Sequence, residues 1–261
     1  MPENDDPVEP SPGEAPHVGR LEDLQRFREA LSGFMLNYQF GIDEVMTKID
    51  ILQTEFEHLH EYSPIEHVNA RLKSPESILK KALRRGGPVS LASIKENVRD
   101  IAGIRVVCSF LADTYVVANM LTSQRDITVV EVKDYIANPK PNGYKSLHLI
   151  IEVPVFLSAS VENVCVEIQI RTIAMDFWAS LEHKIYYKFD QEIPAELLAG
   201  LLDAAEIANR LDVKMERIHD EVRALRPAPE LPDARDIELP ATTPFGDFFA
   251  QRGRPGRPST A

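Results

Sequence analysis

The sequence has few cysteines and no long apolar run, and both absences narrow the possible classes of protein. Only two of the 261 residues are cysteines, Cys108 and Cys165. Two thiols are too few for a cysteine-rich metal site, and each lies in an apolar run where a small core residue is expected. No run of about eighteen apolar residues is present, so no membrane-spanning helix is predicted. The acidic, proline-rich first residues do not resemble a secretory signal, and we expect a cytoplasmic protein.

Positive charge is scarce overall but is concentrated in the middle of the chain. The formal net charge is −12. Residues 65–190 hold 16 Lys and Arg against 14 Asp and Glu, whereas the rest of the chain carries a net charge of −14. A polyanionic ligand should therefore bind in the middle segment. Because the whole molecule would repel long nucleic acid, we do not expect it as a partner, whereas small nucleotides held by a local basic cluster are compatible with this charge distribution.

The apolar pattern predicts an α/β or α+β fold, in which a small mixed β-sheet is flanked by N- and C-terminal helical extensions. Strands are predicted at 103–110, 127–132, 147–153 and 164–170, and helices at about 75–83, at 113–124 and after Thr172. Gly33 and Gly41 are expected to divide the N-terminal helical region into two helices. The predicted segments are an acidic disordered tail (1–18), N-terminal helices (19–62), a central domain (63–190), a C-terminal helix (191–225) and a proline-rich disordered tail (226–261).

A basic group stands at the start of the helix predicted from Pro75. Ser77 and Lys81 are four residues apart and therefore share a helix face. Arg71 and Lys73 lie just before the helix start, where backbone N–H groups also favour anions. The group suits a triphosphate, although a solvated basic helix face would give the same pattern.

Two carboxylates are candidates for a metal site. Asp100 lies just before a buried strand, a position from which one carboxylate and several waters can hold Mg²⁺. Glu167, Gln169 and Arg171 alternate along another strand, so the three share one face. If that face lines a cleft beside Asp100, the two acids form a metal site. If it faces solvent, the strand is an ordinary alternating one and Asp100 is a turn residue.

The segment 133–148 combines lysines, asparagines, tyrosines and a histidine at high density. Lysines suit phosphate groups, and a tyrosine ring can stack on a base. A surface hairpin is the alternative interpretation.

The order of these groups closely resembles the synthetase domain of the RelA/SpoT family of alarmone synthetases. The segments that carry the resemblance are Arg71-Leu-Lys-Ser, Asp100-Ile-Ala-Gly-Ile-Arg, Lys133-Asp-Tyr-Ile, Pro139-Lys-Pro-Asn-Gly-Tyr-Lys-Ser-Leu-His, Glu167-Ile-Gln-Ile-Arg-Thr and Trp178-Ala-Ser-Leu-Glu-His-Lys. The short chain resembles the small, synthetase-only members. The resemblance implies a nucleotidyltransferase-like mixed sheet and a Mg²⁺-dependent enzyme. Such an enzyme transfers a diphosphate from ATP to the 3′-hydroxyl of GTP or GDP, with GMP as a further candidate, and releases AMP.

The resemblance also implies a role for each matching residue. Asp100 and Glu167 match the catalytic carboxylates that hold the metal, and Glu167 would also activate the attacking hydroxyl. The implied ATP-binding residues are Arg71 and Arg105, on either side of adenine, and Lys73, Ser77 and Lys81, at the phosphates. The implied guanine-nucleotide-binding residues are Tyr144, stacked on the base, and Lys133, Lys140, Asn142, Lys145, His148 and Gln169. Family members assemble through terminal helices, which implies a homo-oligomer, a tetramer.

Two other functions stay open at this point. Some small relatives are toxins that place the diphosphate on tRNA, although the acidic flanks of this chain argue against an RNA substrate. A catalytically inactive nucleotide-binding module is the second alternative, and the presence of both Asp100 and Glu167 argues against it.

Overall fold

The computed structural model describes residues 18–60, 62–84, 90–187 and 194–225. The tails predicted to be disordered, 1–18 and 226–261, lie outside the described residues apart from Val18. Contacts divide the chain into two units, Met1–Ile218 and His219–Ala261, and the site lies in the first. No helix in the described ranges is long and apolar enough to cross a membrane.

The described elements alternate between strands and helices and confirm the predicted mixed fold. In chain order they are α1 (Val18–Leu59), β1 (Ile65–Leu72), α2 (Pro75–Arg84), α3 (Leu91–Asn97), β2 (Ala102–Cys108), α4 (Leu111–Thr122), β3 (Thr128–Asp134), β4 (Leu147–Phe156), β5 (Val161–Thr172), α5 (Ile173–Tyr187) and α6 (Ala195–Leu225). The four predicted strands are present with shifted ends. Helix α2 begins as predicted, because the backbone N–H of Ser77 donates to Ser74 Oγ at 3.3 Å and caps the helix.

Strand β1 is an element that the sequence did not predict. It forms one edge of the sheet, and most of its side chains are partly or fully exposed. An edge strand with few buried residues lacks the alternation from which strands are predicted. Arg71 therefore lies near the end of a strand, shortly before α2 begins.

The five strands form one sheet in the order β1-β2-β5-β4-β3, in which only β2 and β5 run parallel. Residues paired across strands point to the same face. One row across the sheet consists of Asn69, Arg105, Gln169, His148 and Lys133. The next row consists of Arg71, Gly103, Glu167, Ile150 and Glu131. The pairing register therefore gathers some of the residues predicted for each nucleotide on one face.

The opposite face of the sheet is apolar and packs against helix α1. Ile104, Leu149 and Ile168 are buried there. Helix α1 is continuous, so the prediction that Gly33 and Gly41 divide it was wrong. Gly41 instead permits close packing, because a Cβ at this position would lie 2.6 Å from Val164 Cγ1.

Candidate active site

Two clefts open on the polar face of the sheet, and Asp100 and Glu167 line both of them. The larger cleft, about 510 Å³, is also lined by Arg71, Lys73 and Arg105. The smaller cleft, about 310 Å³, is lined by a different set of charged side chains: Lys81, Glu96, Arg99, Glu131 and Lys133. The two carboxylates thus stand at the border between the clefts.

Asp100 is held by two lysines and keeps one oxygen without a partner. Its Oδ2 accepts hydrogen bonds from Lys73 Nζ at 2.5 Å and Lys81 Nζ at 2.6 Å. Burial alone would raise the pKa of Asp100, but the two lysines outweigh burial and lower that pKa below its usual value. Oδ1 is buried and has no hydrogen-bond partner among the residues that the structure describes. A buried carboxylate oxygen without a donor is costly unless a ligand satisfies it.

Glu167 is also ionised and fixed in orientation. Its Oε1 faces His148 Nδ1 at 3.1 Å, and its Oε2 accepts from Gln169 Nε2 at 3.1 Å. Burial would raise the pKa of Glu167, but the hydrogen bond and charge of His148, followed by Gln169, lower it overall. Glu167 therefore carries a negative charge at neutral pH, next to Asp100.

The pair of carboxylates fits a metal that keeps few protein ligands. Among the described residues no group of three or more His, Cys, Asp or Glu side chains could hold a metal ion. Mg²⁺ at nucleotide sites takes one or two carboxylates and completes its shell with phosphate oxygens and water. The unpartnered Oδ1 of Asp100 provides such a ligand.

Tyr144 and His148 form an aromatic cluster that adjoins Glu167. Tyr144 Oη lies 2.8 Å from His148 Nε2. Because ionised Glu167 can only accept, His148 Nδ1 carries a proton and donates it to the Glu167 Oε1 hydrogen bond. Lys140 Nζ lies 4.5 Å from the ring centre of Tyr135 and 4.6 Å from that of Tyr144. Burial, which outweighs the nearby Arg171 charge, raises the pKa of Tyr144.

The loop that carries Tyr144 is anchored to two helices. Gly143 has a φ of 86°, a conformation that glycine adopts without strain, and a Cβ there would lie 2.6 Å from Ala205 Cβ on α6. Asn142 Nδ2 donates to Glu182 Oε1 on α5 at 3.0 Å. Lys145 Nζ donates to Asn209 Oδ1 on α6 at 2.5 Å. These contacts fix the loop beside the aromatic cluster.

Comparison with known proteins places the chain in a family. Residues 70–192 match the family described as the region found in RelA and SpoT proteins. The GTP pyrophosphokinase YwaC of Bacillus subtilis is 51% identical over 205 residues, which cover 78% of this chain and 98% of that protein. The chain belongs to the RelA/SpoT family.

Solved structures of relatives agree with this membership. Small alarmone synthetase 1 from Bacillus subtilis, in a crystal structure bound to its product pppGpp, is 39% identical with a TM-score of 0.69, over 75% of this chain and 99% of that one. The same synthetase bound to AMPCPP is 38% identical with a TM-score of 0.64, over 75% of this chain and 99% of that one.

Eight of the residues matched to the RelA/SpoT pattern line the clefts. They are Arg71, Lys73, Lys81, Asp100, Arg105, Lys133, Glu167 and Gln169. Lys73 lines the larger cleft and Lys81 lines the smaller one, but Lys73 and Lys81 contact the same Asp100 oxygen.

The other matched residues lie around the clefts. Lys140, Tyr144 and His148 form the adjoining cluster. Asn142 and Lys145 line neither cleft and contact α5 and α6. Ser77 also lies outside both clefts, half-buried, with its hydroxyl accepting from Ser74 Oγ at 3.0 Å.

Sequence reasoning missed several polar residues of the site. Glu131 lines the smaller cleft, and its Oε2 lies 3.1 Å from Lys133 Nζ and 3.5 Å from Arg99 Nη1. Its place two residues before Lys133 on a strand was the signal that could have found it. Asp176 Oδ1 lies 3.2 Å from Nη1 of the cleft residue Arg105. Asp176 gave no such signal, because it meets the site only through the placement of α5.

Proposed function

We propose that the protein is a (p)ppGpp synthetase, a GTP diphosphokinase that moves the β,γ-diphosphate of ATP to the 3′-hydroxyl of GTP or GDP and releases AMP. The observation that carries the proposal is the shared border, where Asp100 and Glu167 line both clefts. A group passes directly between two nucleotides only if their reacting ends meet at one place. The 51% identity to a GTP pyrophosphokinase supports the same activity.

ATP fits the larger cleft, with its phosphates directed toward Asp100. Arg71 and Arg105 are on neighbouring strands there, and planar guanidinium groups stack well on a purine base. Lys73 lines the same cleft, donates to Asp100 and would contact the phosphates. The guanine nucleotide would take the smaller cleft, with Tyr144 as the surface for its base.

Mg²⁺ would be held by Asp100 and Glu167, and when bound it neutralises negative charge on the phosphate oxygens. The chain contributes the remaining electrostatics through Lys73 and Lys81, which meet at one carboxylate oxygen. They stabilise charge that develops on the transferred diphosphate and on the departing AMP. Glu167 accepts the proton of the 3′-hydroxyl as that oxygen attacks the β-phosphorus.

One experiment tests the reaction and its acceptor together. The purified protein is incubated with Mg²⁺, ATP labelled on its γ-phosphate, and GTP, GDP, GMP or tRNA in separate reactions. We expect labelled pppGpp from GTP or labelled ppGpp from GDP, together with stoichiometric AMP. Label on tRNA alone would make the protein a tRNA-modifying enzyme, and nucleotide binding without AMP release would make it an inactive module. Since ATP and GTP are cytosolic substrates, we also propose a cytoplasmic location.

We further propose that the protein is a homo-oligomer, a tetramer, assembled through α6. One face of this helix is polar and contacts the rest of the fold. On this face Asn209 accepts a hydrogen bond from Lys145, and Asp212 Oδ2 accepts one from Thr172 Oγ1 at 2.7 Å. Glu216 Oε1 accepts a third from the Ala112 N–H at 2.8 Å.

The apolar stripe on the same helix faces away from the sheet. Leu211, Met215 and Ile218 are 51%, 46% and 42% exposed. A helix of a monomeric protein buries its apolar stripe against the core, and the reverse arrangement on α6 favours a partner helix from a second copy. The neighbouring helix α5 adds exposed Phe177 and Leu181 to the apolar surface.

A further inference from the structure

A buried arginine lies behind the aromatic cluster, and the proposed reaction gives it no role. Arg171 is only 4% exposed. Its Nη2 donates to Tyr144 Oη at 2.7 Å and to Gln169 Oε1 at 2.6 Å, and its Nε donates to Ser146 Oγ at 3.4 Å. Its guanidinium carbon also lies 5.2 Å from the ring centre of Tyr144. Arg171 thus fixes both the hydroxyl and the ring plane of the tyrosine.

A buried guanidinium needs a counter-charge, and Asp176 supplies it. Asp176 Oδ1 lies 3.2 Å from Arg171 Nη1. Asp176 stands in the first turn of α5, where the helix dipole favours a carboxylate. Thr172 Oγ1 accepts from the Met175 N–H at 3.1 Å and fixes the start of that helix.

The same oxygen of Asp176 also holds an arginine of the larger cleft. Arg105 Nη1 lies 3.2 Å from Asp176 Oδ1, and the Arg105 side chain lines the larger cleft. Arg105 is on β2 and Arg171 is on β5, two parallel neighbours in the sheet. One carboxylate oxygen therefore joins a side chain of the larger cleft to the arginine that fixes Tyr144.

We infer that Asp176 is a positioning residue that holds Arg105 and Arg171 together and thereby makes binding of the two nucleotides cooperative. The inference rests on the proposed function, which places adenine against Arg105 and guanine against Tyr144. Once a base immobilises Arg105, the shared carboxylate is also fixed, and Arg171 and the Tyr144 hydroxyl lose motion before the second nucleotide arrives. The second nucleotide then meets a site that is already ordered, which is positive coupling.

The test measures coupling between the two ligands rather than turnover. GDP is titrated calorimetrically into the full-length protein with Mg²⁺, in the absence and presence of saturating AMPCPP. The carbon in the α,β bridge of AMPCPP prevents AMP release. For the wild type, AMPCPP is expected to tighten GDP binding by at least about fivefold, the lower end of usual allosteric coupling. In Asp176→Asn, which keeps size and loses charge, this factor should fall to about one.

Three variants separate positioning from a general structural effect. Tyr144→Phe keeps the stacking ring and removes the hydroxyl, so the coupling should fall while AMPCPP binding alone stays unchanged. Asp176→Glu keeps the charge and should restore part of the coupling that Asp176→Asn loses. Asp50→Asn removes an exposed aspartate of α1 and should leave the coupling at the wild-type value.

Each outcome has a defined meaning. Full coupling in Asp176→Asn, or in Tyr144→Phe if the first variant does not fold, would overturn the inference. Binding of both nucleotides to the wild type without coupling would overturn the inference and leave the proposed function intact. If the wild type bound neither nucleotide, the proposed function would fail and the inference with it.

Discussion

Replacing Asp100 by asparagine is the most informative single change, because it removes one charge and keeps the shape. The carboxylate is the common acceptor of Lys73 and Lys81, and its other oxygen is the unpartnered Oδ1. In Asp100→Asn the proposed Mg²⁺ site loses an anionic ligand, and the two ammonium groups crowd a neutral amide. We therefore expect effects on both turnover and stability.

The size of each effect follows from the geometry. Loss of a central electrostatic group costs at least about a hundredfold in turnover, or about 2.7 kcal/mol of activation free energy. Breaking a fully buried ion pair destabilises by about 3–5 kcal/mol, whereas an exposed pair contributes about 0–1 kcal/mol. The Asp100 side chain is 24% exposed, between these limits. We expect a loss of about 1–3 kcal/mol in the free energy of unfolding.

The predicted stability difference between wild type and Asp100→Asn depends on pH in a defined direction. Because the pKa of Asp100 is lowered in the folded state, its charge stabilises the fold above the ordinary carboxyl pKa, about 3.9. The stability difference between wild type and Asp100→Asn should be constant from about pH 7 to 5 and shrink only below about pH 4. Thermal unfolding at several pH values measures this difference.

The assay of turnover is AMP release from ATP and GDP over a series of Mg²⁺ concentrations. Asp100→Asn should show lower turnover and a higher half-saturating Mg²⁺ concentration. Asp126→Asn is the matched control, since Asp126 Oδ2 also lies 2.5 Å from a lysine, Lys48, and lines neither cleft. Near-normal AMP release by Asp100→Asn with an unchanged Mg²⁺ requirement would refute the assignment of the carboxylate.

Four further predictions test the rest of the site. Glu167→Gln should reduce AMP release at least about a hundredfold, because the proton acceptor is lost, and normal release would contradict that role. Tyr144→Ala should weaken GDP binding in calorimetry by about 5–150-fold, the effect of about 1–3 kcal/mol of base stacking, and a larger effect on AMPCPP would place Tyr144 on the other nucleotide. The double variant Leu211→Asp and Ile218→Asp should lower the assembly mass in light scattering, whereas a monomeric wild type at micromolar concentration would rule out the oligomer. Burial raises the pKa of Asp212 in the folded state. Ionisation of this carboxyl therefore lowers the free energy of unfolding as pH rises above the ordinary carboxyl range. At pH 7 the Tm of Asp212→Asn should therefore be no lower than that of the wild type. The Tm of Asp212→Ala should be lower, because this variant lacks the hydrogen bond to Thr172. Equal Tm values for the two variants would contradict this account.

Local patterns predicted most of the strands and helices, and they predicted that polar side chains of one strand share a face. The alternation of Glu167, Gln169 and Arg171 predicted one shared face, and the pairing of β5 with its neighbours confirms it. Strand β1 was missed because an edge strand exposes most of its side chains. Asp176 was missed for a different reason: it joins two strands only through the start of α5, a tertiary contact that no local period encodes.

Helix α6 links the proposed assembly surface to the loop that carries Tyr144. On one side its Asn209 accepts from Lys145, one residue after Tyr144, and its Ala205 packs against Gly143. On the other side its apolar residues are exposed. Because a helix moves as a rigid rod over a few turns, a partner that packs against the apolar side of α6 also restricts the motion of the Tyr144 loop. Oligomerisation would then order the proposed guanine site. A variant that dissociates the assembly should therefore weaken GDP binding more than AMPCPP binding, although its substitutions lie on the face of α6 that turns away from the loop.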